Sequence, residues 1–313
     1  MRNGIMGAAS AMFLVGTLAG VSGLVGAYPI YGGQAVRYLV AAVVLLLVTR
    51  VLGLRFVRLT ARETLCLAGL TLFGLVLFNV CVVESTRAAG PALVGTVLGT
   101  VPLALALAGG RPAPRLLAGA TVVVAGATLA TGLGTGNLTG LLWALGALAG
   151  EVSFSLLAIP LLPKLGAIRV SAYSTALAVP MLVAVGLAYD GTALLRTPTW
   201  PEALGFGYLA IVVTVVAFFL WYTALPRLGP GAAGLFAGLI PVGAIVTGVV
   251  LGLGLPSAYD LLGAGLVIVG ILVGLPRRRR EGRRRARNLL GDRKDGHGRV
   301  RLHRPAAAGS RRD

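Results

Sequence analysis

Ten apolar runs of about 19 to 23 residues succeed one another between residues 5 and 275, each long enough for a helix to cross a hydrocarbon core about 30 Å thick. They fall at 5–26, 30–49, 64–83, 91–109, 114–132, 138–159, 169–188, 203–224, 230–252 and 257–275. The chain is 57% hydrophobic and 12% charged, with a mean hydropathy of +0.88, too apolar for a water-soluble domain of 313 residues. Lipid is therefore the expected solvent, and the expected fold class is an all-α integral membrane protein with ten transmembrane helices. Arg2 and the apolar run behind it resemble a signal peptide, but with nine further spans following, an uncleaved first helix is expected.

Two of these runs share a motif. GPALVGTVLGTVP (Gly90 to Pro102) and GPGAAGLFAGLIP (Gly229 to Pro241) both read Gly-Pro, three residues, Gly, three residues, Gly, two residues, Pro, at an offset of 139 positions. Gly119 and Gly126 of the fifth run match Gly263 and Gly270 of the tenth in the same way, after a five-residue insertion. The pattern points to duplication of a five-helix unit. An odd number of crossings places the second copy upside down in the bilayer, giving two inverted five-helix repeats. The expected domains are 1–133, 134–275 and a basic tail, 276–313.

Charge supplies an independent check on the count. With the N-terminus in the cytoplasm, the inside segments carry Arg2, Arg50, Arg55, Arg58, Arg62, Arg111, Arg115, Lys164, Arg169 and Arg227, and the outside links only Arg87 and Arg196. Both termini are thus expected to be cytoplasmic, in a multi-pass protein of the cell membrane. Of the 28 Lys and Arg, fifteen lie in residues 276–313, leaving the body at +7. The tail is expected to be disordered and drawn to anionic lipid headgroups; it gives no reason to expect specific nucleic-acid binding.

Within each motif Gly95/Gly99 and Gly234/Gly238 expose backbone to a neighbouring helix, while Pro102 and Pro241 remove a donor and bend the helix. Paired bends suit a central cavity between repeats. Charges inside spans are costly and mark functional candidates: Arg37, Glu84 and above all Glu151, close to the middle of its run. Burial disfavours a carboxylate's charged form in general, so Glu151 is a candidate carrier of a proton or a cationic group. Its plain alternative is an ion pair with Arg37 that only joins two helices. Arg37 itself could meet a substrate carboxylate or reach the headgroups. Glu84 has Arg87 three residues on, the spacing of a local helical pair. Asn79, Trp143, Ser153, Trp221 and Tyr222 could line a cavity, with Trp143 and Trp221 equally suited to the interfacial belt.

Both histidines, His297 and His303, lie in the tail, and Cys66 and Cys81 are fifteen residues apart in one helix, about 22 Å, too far for a disulfide. No Walker loop, CxxC pair, Gly-x-Ser-x-Gly elbow or HExxH motif occurs. No catalytic residue, metal or cofactor is expected, and transport would draw on a gradient.

The layout resembles the EamA-type transporters of the drug/metabolite transporter superfamily over about residues 5–275. The resemblance rests on Pro29, Arg37 and Ala41, on YTALPRLGPGAAGLFAGLIPV at 222–242, and on LLGAGLVIVGILV at 261–273. It implies export or uptake of a small metabolite, amino acid or amphipathic drug through a cavity formed by the first four helices of each half, and the function expected of this chain is secondary transport, outward and open to proton coupling. A homodimer is compatible with it. A polytopic enzyme acting on lipid, or a channel, is the alternative. Members of the family commonly carry Glu nine residues before the glycine matching Gly119 or Gly263; here those places hold Gly110 and Gly254.

Overall fold

A computed structural model describes residues 2–110, 112–132, 137–252 and 254–275. The expectations for Arg111, for the boundary at 133–134 and for the basic tail lie outside the described residues. Among the described residues there are helices and no strands, and nine of the helices are long and apolar enough to cross a membrane. These are α1 (Arg2–Val25), α2 (Ile30–Val51), α3 (Ala61–Ala89), α4 (Pro91–Ala108), α5 (Pro114–Thr131), α6 (Leu138–Leu156), α7 (Leu162–Leu194), α8 (Trp200–Leu228) and α9 (Pro230–Val250). The tenth, α10 (Ala258–Gly274), has 17 residues, the lower limit for a span. Leu39, Val43 and Leu47 on α2 and Leu262, Val269 and Leu272 on α10 point outward, as lipid-facing side chains must.

The Gly-Pro pairs make the same turn twice. Gly90 (φ 78°, ψ 167°) ends α3, donating its N–H to Thr86 O at 2.9 Å, and Pro91 opens α4. Gly229 (φ 76°, ψ 158°) ends α8, donating to Leu225 O at 2.9 Å, and Pro230 opens α9. A positive φ favours glycine, and proline's missing donor costs nothing at a first helical position. Further along, both helices lose α-geometry: α4 is interrupted around Gly99 and Thr100, and α9 tightens into a 3₁₀ turn at Leu235–Gly238. Pro102 and Pro241 follow those breaks and withhold a donor from the carbonyls four residues back, Leu98 and Ala237.

The third helix of each half also shares a device. Both α3 and α8 run 29 residues, and each contains a π-helical segment, Leu72–Leu77 and Leu209–Val216. Both open on a capping box 139 residues apart, Thr60 with Glu63 and Thr199 with Glu202.

Helix directions follow from the glycine contacts. On α5 and α10, a Cβ on Gly126 would lie 2.7 Å from Gly263 O, and one on Gly270 would lie 2.8 Å from Gly119 O, so the two helices run antiparallel, backbone against backbone. The four glycines that match in sequence are thus each other's partners in space. Gly4 meets Leu228 and Gly7 meets Ala224, which makes α1 antiparallel to α8; Gly140 meets Ala89 and Gly150 meets Phe78, which makes α6 antiparallel to α3. Such directions are those of ten alternating crossings. Arg2, Arg50, Arg55, Arg58, Arg62, Arg115, Lys164, Arg169 and Arg227 then share one face, opposite Arg87 and Arg196.

Gly110 and Gly254 have φ of 106° and 147°. Side-chain-bearing residues avoid those values, so glycine in both halves answers a backbone requirement.

Candidate functional site

Between the halves lies a cavity of about 330 Å³, within the size range of small-molecule sites. Its wall is mostly apolar: Met12, Val15 and Gly16 from α1, Phe78 and Val82 from α3, Leu98 and Val101 from α4, Phe154 from α6, Phe218 from α8, Ala237 and Ile240 from α9. Leu98 and Ala237, whose carbonyls the two prolines leave without their usual donor, are both on it. Six side chains bring polar groups to the same wall: Gln34, Arg37, Tyr38, Asn79, Glu151 and Trp221. The helices come from both halves, as the family resemblance implies, except that α7 does not reach the cavity.

Arg37 is 5% exposed and does not extend to the headgroups. Nor does it pair with Glu151: no ion pair among the described residues includes either group. The Arg37 Nε donates to Thr214 Oγ1 at 2.8 Å, Nη1 donates to Gln34 Oε1 at 3.3 Å, and the guanidinium lies 5.3 Å from the centre of the Tyr38 ring. Thr214 is presented by the π-segment of α8. Its hydroxyl donates to Leu209 O, five residues back, at 2.9 Å, which leaves its lone pairs for Arg37. The π-segment of α3 precedes a comparable contact, in which Asn79 Nδ2 donates to Leu75 O at 2.6 Å and to the Tyr38 hydroxyl at 3.3 Å. Adjacent residues of α2 are thereby tied to the π-bearing helices of opposite halves.

Trp221 is buried and lines the cavity, with no acceptor for its indole Nε1. Tyr222, next to it, is buried away from the cavity wall, its hydroxyl 3.4 Å from Phe154 O. Trp143 lies on the outside of α6, 36% exposed, and Ser153 donates to Ala149 O at 2.7 Å; neither is on the cavity wall. Glu84 forms the expected local pair with Arg87, Nη1 to Oε1 at 2.9 Å, and accepts from the Tyr31 hydroxyl at 3.3 Å. Of the expected candidates the structure therefore gathers Arg37, Asn79, Glu151 and Trp221 around one space. Gln34 and Tyr38 are additions to that set, and Thr214 holds Arg37 without being on the wall; in sequence nothing but their apolar surroundings marked the three.

No group of three or more potential metal ligands occurs among the described residues. Cys66 and Cys81 are both free, as their spacing requires.

Comparison with known proteins agrees with this architecture. Residues 138–275 match the EamA-like transporter family. Over 282 residues the chain is 27% identical to the uncharacterized transporter YetK of Bacillus subtilis (strain 168), covering 85% of this chain and 84% of that one. The fold is similar to that of a protein of known crystal structure at a TM-score of 0.71 and 20% identity, over 87% of this chain and 96% of the other.

Proposed function

We propose, taking as premise that this chain is a membrane transporter of the EamA type, that it is a secondary carrier of a small, largely apolar solute. The solute is held in the cavity between two inverted five-helix repeats. The observation that carries this reading is a space of about 330 Å³ bounded by both halves, with an acid, Glu151, and a base, Arg37, on its wall and neither in an ion pair among the described residues. Alternating access needs two units that can exchange roles about a fixed site. Matching Gly-Pro turns, matching π-segments, matching helix breaks beside the cavity and the reciprocal glycine seam of α5 and α10 all support such an exchange. Glu151 is the candidate proton carrier. The excess of basic residues on the N-terminal face supports cytoplasmic termini in the cell membrane, and export is the proposed direction.

Counterflow into vesicles preloaded with solute tests this reading. Saturable exchange is expected, and in Glu151→Gln its pH dependence is expected to flatten between about pH 5 and 8. Unchanged pH dependence would remove Glu151 from the coupling step. Non-saturable flux would favour a channel, and chemical change in the vesicle lipid would favour an enzyme.

A further inference from the structure

We infer that the cavity is built for an anionic group on an apolar body, a carboxylate being the plainest case, and that the anion enters with a proton on Glu151. The inference rests on the transport reading above and deepens it. One cationic donor on the wall lacks an acceptor: Arg37 Nη2 has no protein partner among the described residues. A guanidinium N–H left open in this way suits a carboxylate oxygen. Arg37 keeps its charge at every accessible pH, whereas Glu151 can be neutralised by a proton. A cation would add to a permanent positive charge in a low-dielectric space. An anion offsets that charge, provided Glu151 is neutral while it is bound. The rest of the wall, with Met12, Phe154, Phe218 and Ile240, suits an apolar remainder.

Thr214 is the positioning residue of this site. It fixes the Arg37 Nε while Gln34 holds Nη1, which leaves Nη2 as the open group of the guanidinium. A valine there keeps the shape and removes the acceptor.

Trp221 reports binding directly once Trp143→Phe and Trp200→Phe remove the other two indoles. Its fluorescence is titrated with four probes of one shape: 3-phenylpropionate, 3-phenylpropionamide, 3-phenylpropylamine and the zwitterion phenylalanine. The carboxylate is expected to bind about tenfold more tightly than the amide, and the amine not at all. Carboxylate affinity is expected to fall as pH rises, and to lose that dependence in Glu151→Gln. Arg37→Gln is expected to erase the preference for carboxylate over amide. Thr214→Val is expected to weaken the carboxylate several-fold without moving the amide, and Thr214→Ser to restore it. Tighter binding of the amine or of phenylalanine, a preference that survives Arg37→Gln, or no carboxylate binding up to about 10 mM overturns the inference. Saturable counterflow of cations or zwitterions would sink it while leaving transport intact. Absence of counterflow for all four probes, with carboxylate binding preserved, would sink transport alone.

Away from the cavity, we propose that two ion pairs on opposite faces are catches that open in alternation. On one face Glu63, at the start of α3, accepts from Lys164 Nζ at 2.7 Å, and Lys164 stands where α6 turns into α7. On the other, Glu202, at the start of α8, is gripped by both terminal nitrogens of Arg196. Arg196 in turn donates to Ala27 O at 3.2 Å, exchanges backbone hydrogen bonds with the Tyr28 hydroxyl and lies over that ring at 4.9 Å. Hydrogen bonding to Glu202 holds the Arg196 guanidinium above its ordinary pKa. Each catch joins the third helix of one half to the region where the first two helices of the other half meet, directly through Lys164 in the first turn of α7 or by way of Arg196. The 22 residues of α2 separate the two by about 33 Å.

Access of a membrane-impermeant thiol reagent to Val82→Cys in the cavity, with Cys66→Ser and Cys81→Ala, reads the catches one face at a time. Glu202→Gln and Arg196→Gln are expected to raise reactivity several-fold from the face of the α1–α2 link only. Glu63→Gln and Lys164→Met are expected to raise it from the opposite face only. Increases on the wrong face, on both faces, or on neither overturn the proposal.

Discussion

Replacing Gly126 by alanine tests the seam that joins the halves. Its new Cβ would sit 2.7 Å from Gly263 O, 2.7 Å from Val267 N and 2.9 Å from Leu266 Cβ. Ordinary van der Waals contact begins near 3.4 Å, so α10 must move out by several tenths of an ångström, and because two of the three neighbours are backbone no side chain can rotate away. Overpacking of this kind costs about 1–3 kcal/mol, and backbone obstruction places it toward 3. Alanine's better helix propensity returns up to about 1 kcal/mol, for a net loss near 2. Gly265→Ala on α10 is the control, because nothing lies within 4 Å of its Cβ. It should be neutral or stabilising. Equilibrium unfolding in mixed detergent and SDS micelles should separate the two variants by about 2–3 kcal/mol. Gly270→Ala, whose Cβ would meet Val123 N at 2.6 Å and Gly119 O at 2.8 Å, should lose as much as Gly126→Ala. A Gly126→Ala protein as stable as Gly265→Ala would refute the seam.

Two local contacts differ in worth. Ser85 Oγ is buried and donates to Gly140 O at 2.9 Å, so Ser85→Ala should cost about 1–2 kcal/mol in the same unfolding assay. Glu84 and Arg87 are also 2.9 Å apart but half exposed on the arginine side, so Glu84→Gln should change stability by no more than about 0.5 kcal/mol. Placing a side chain at position 110, Gly110→Glu, should destabilise by about 1–2 kcal/mol in that assay, since φ there is 106°.

The spans, the Gly-Pro turns and the paired glycines of α5 and α10 were legible because each rests on local composition or on a repeated spacing. The π-segments were not, since a run such as LAIVVTVV has no local signature distinguishing i−5 from i−4 bonding. Thr214 was invisible for that reason: its hydroxyl donates back to its own helix, as threonines in apolar helices ordinarily do, but to the carbonyl five residues back, and it accepts from Arg37 across the halves. The relation of Arg37 to Glu151 depends on how α2 and α6 approach, which hydropathy does not encode. Helical phase, by contrast, could have set Trp143 apart, because it precedes Glu151 by eight residues and so lies about 80° around α6. A scan for capping boxes would have found Thr60-x-x-Glu63 and Thr199-x-x-Glu202 at the offset of the motif, 139, though not the cations that close on them.

Labelling of two single cysteines in intact cells tests the inverted arrangement most directly. Phe56→Cys lies in the α2–α3 link and Thr197→Cys in the α7–α8 link, each in a Cys66→Ser, Cys81→Ala background. With an impermeant reagent outside, Thr197→Cys should label at once and Phe56→Cys only after the membrane is opened. Labelling of both from one side would contradict two repeats of opposite orientation around one cavity, and the reverse order would contradict the cytoplasmic termini.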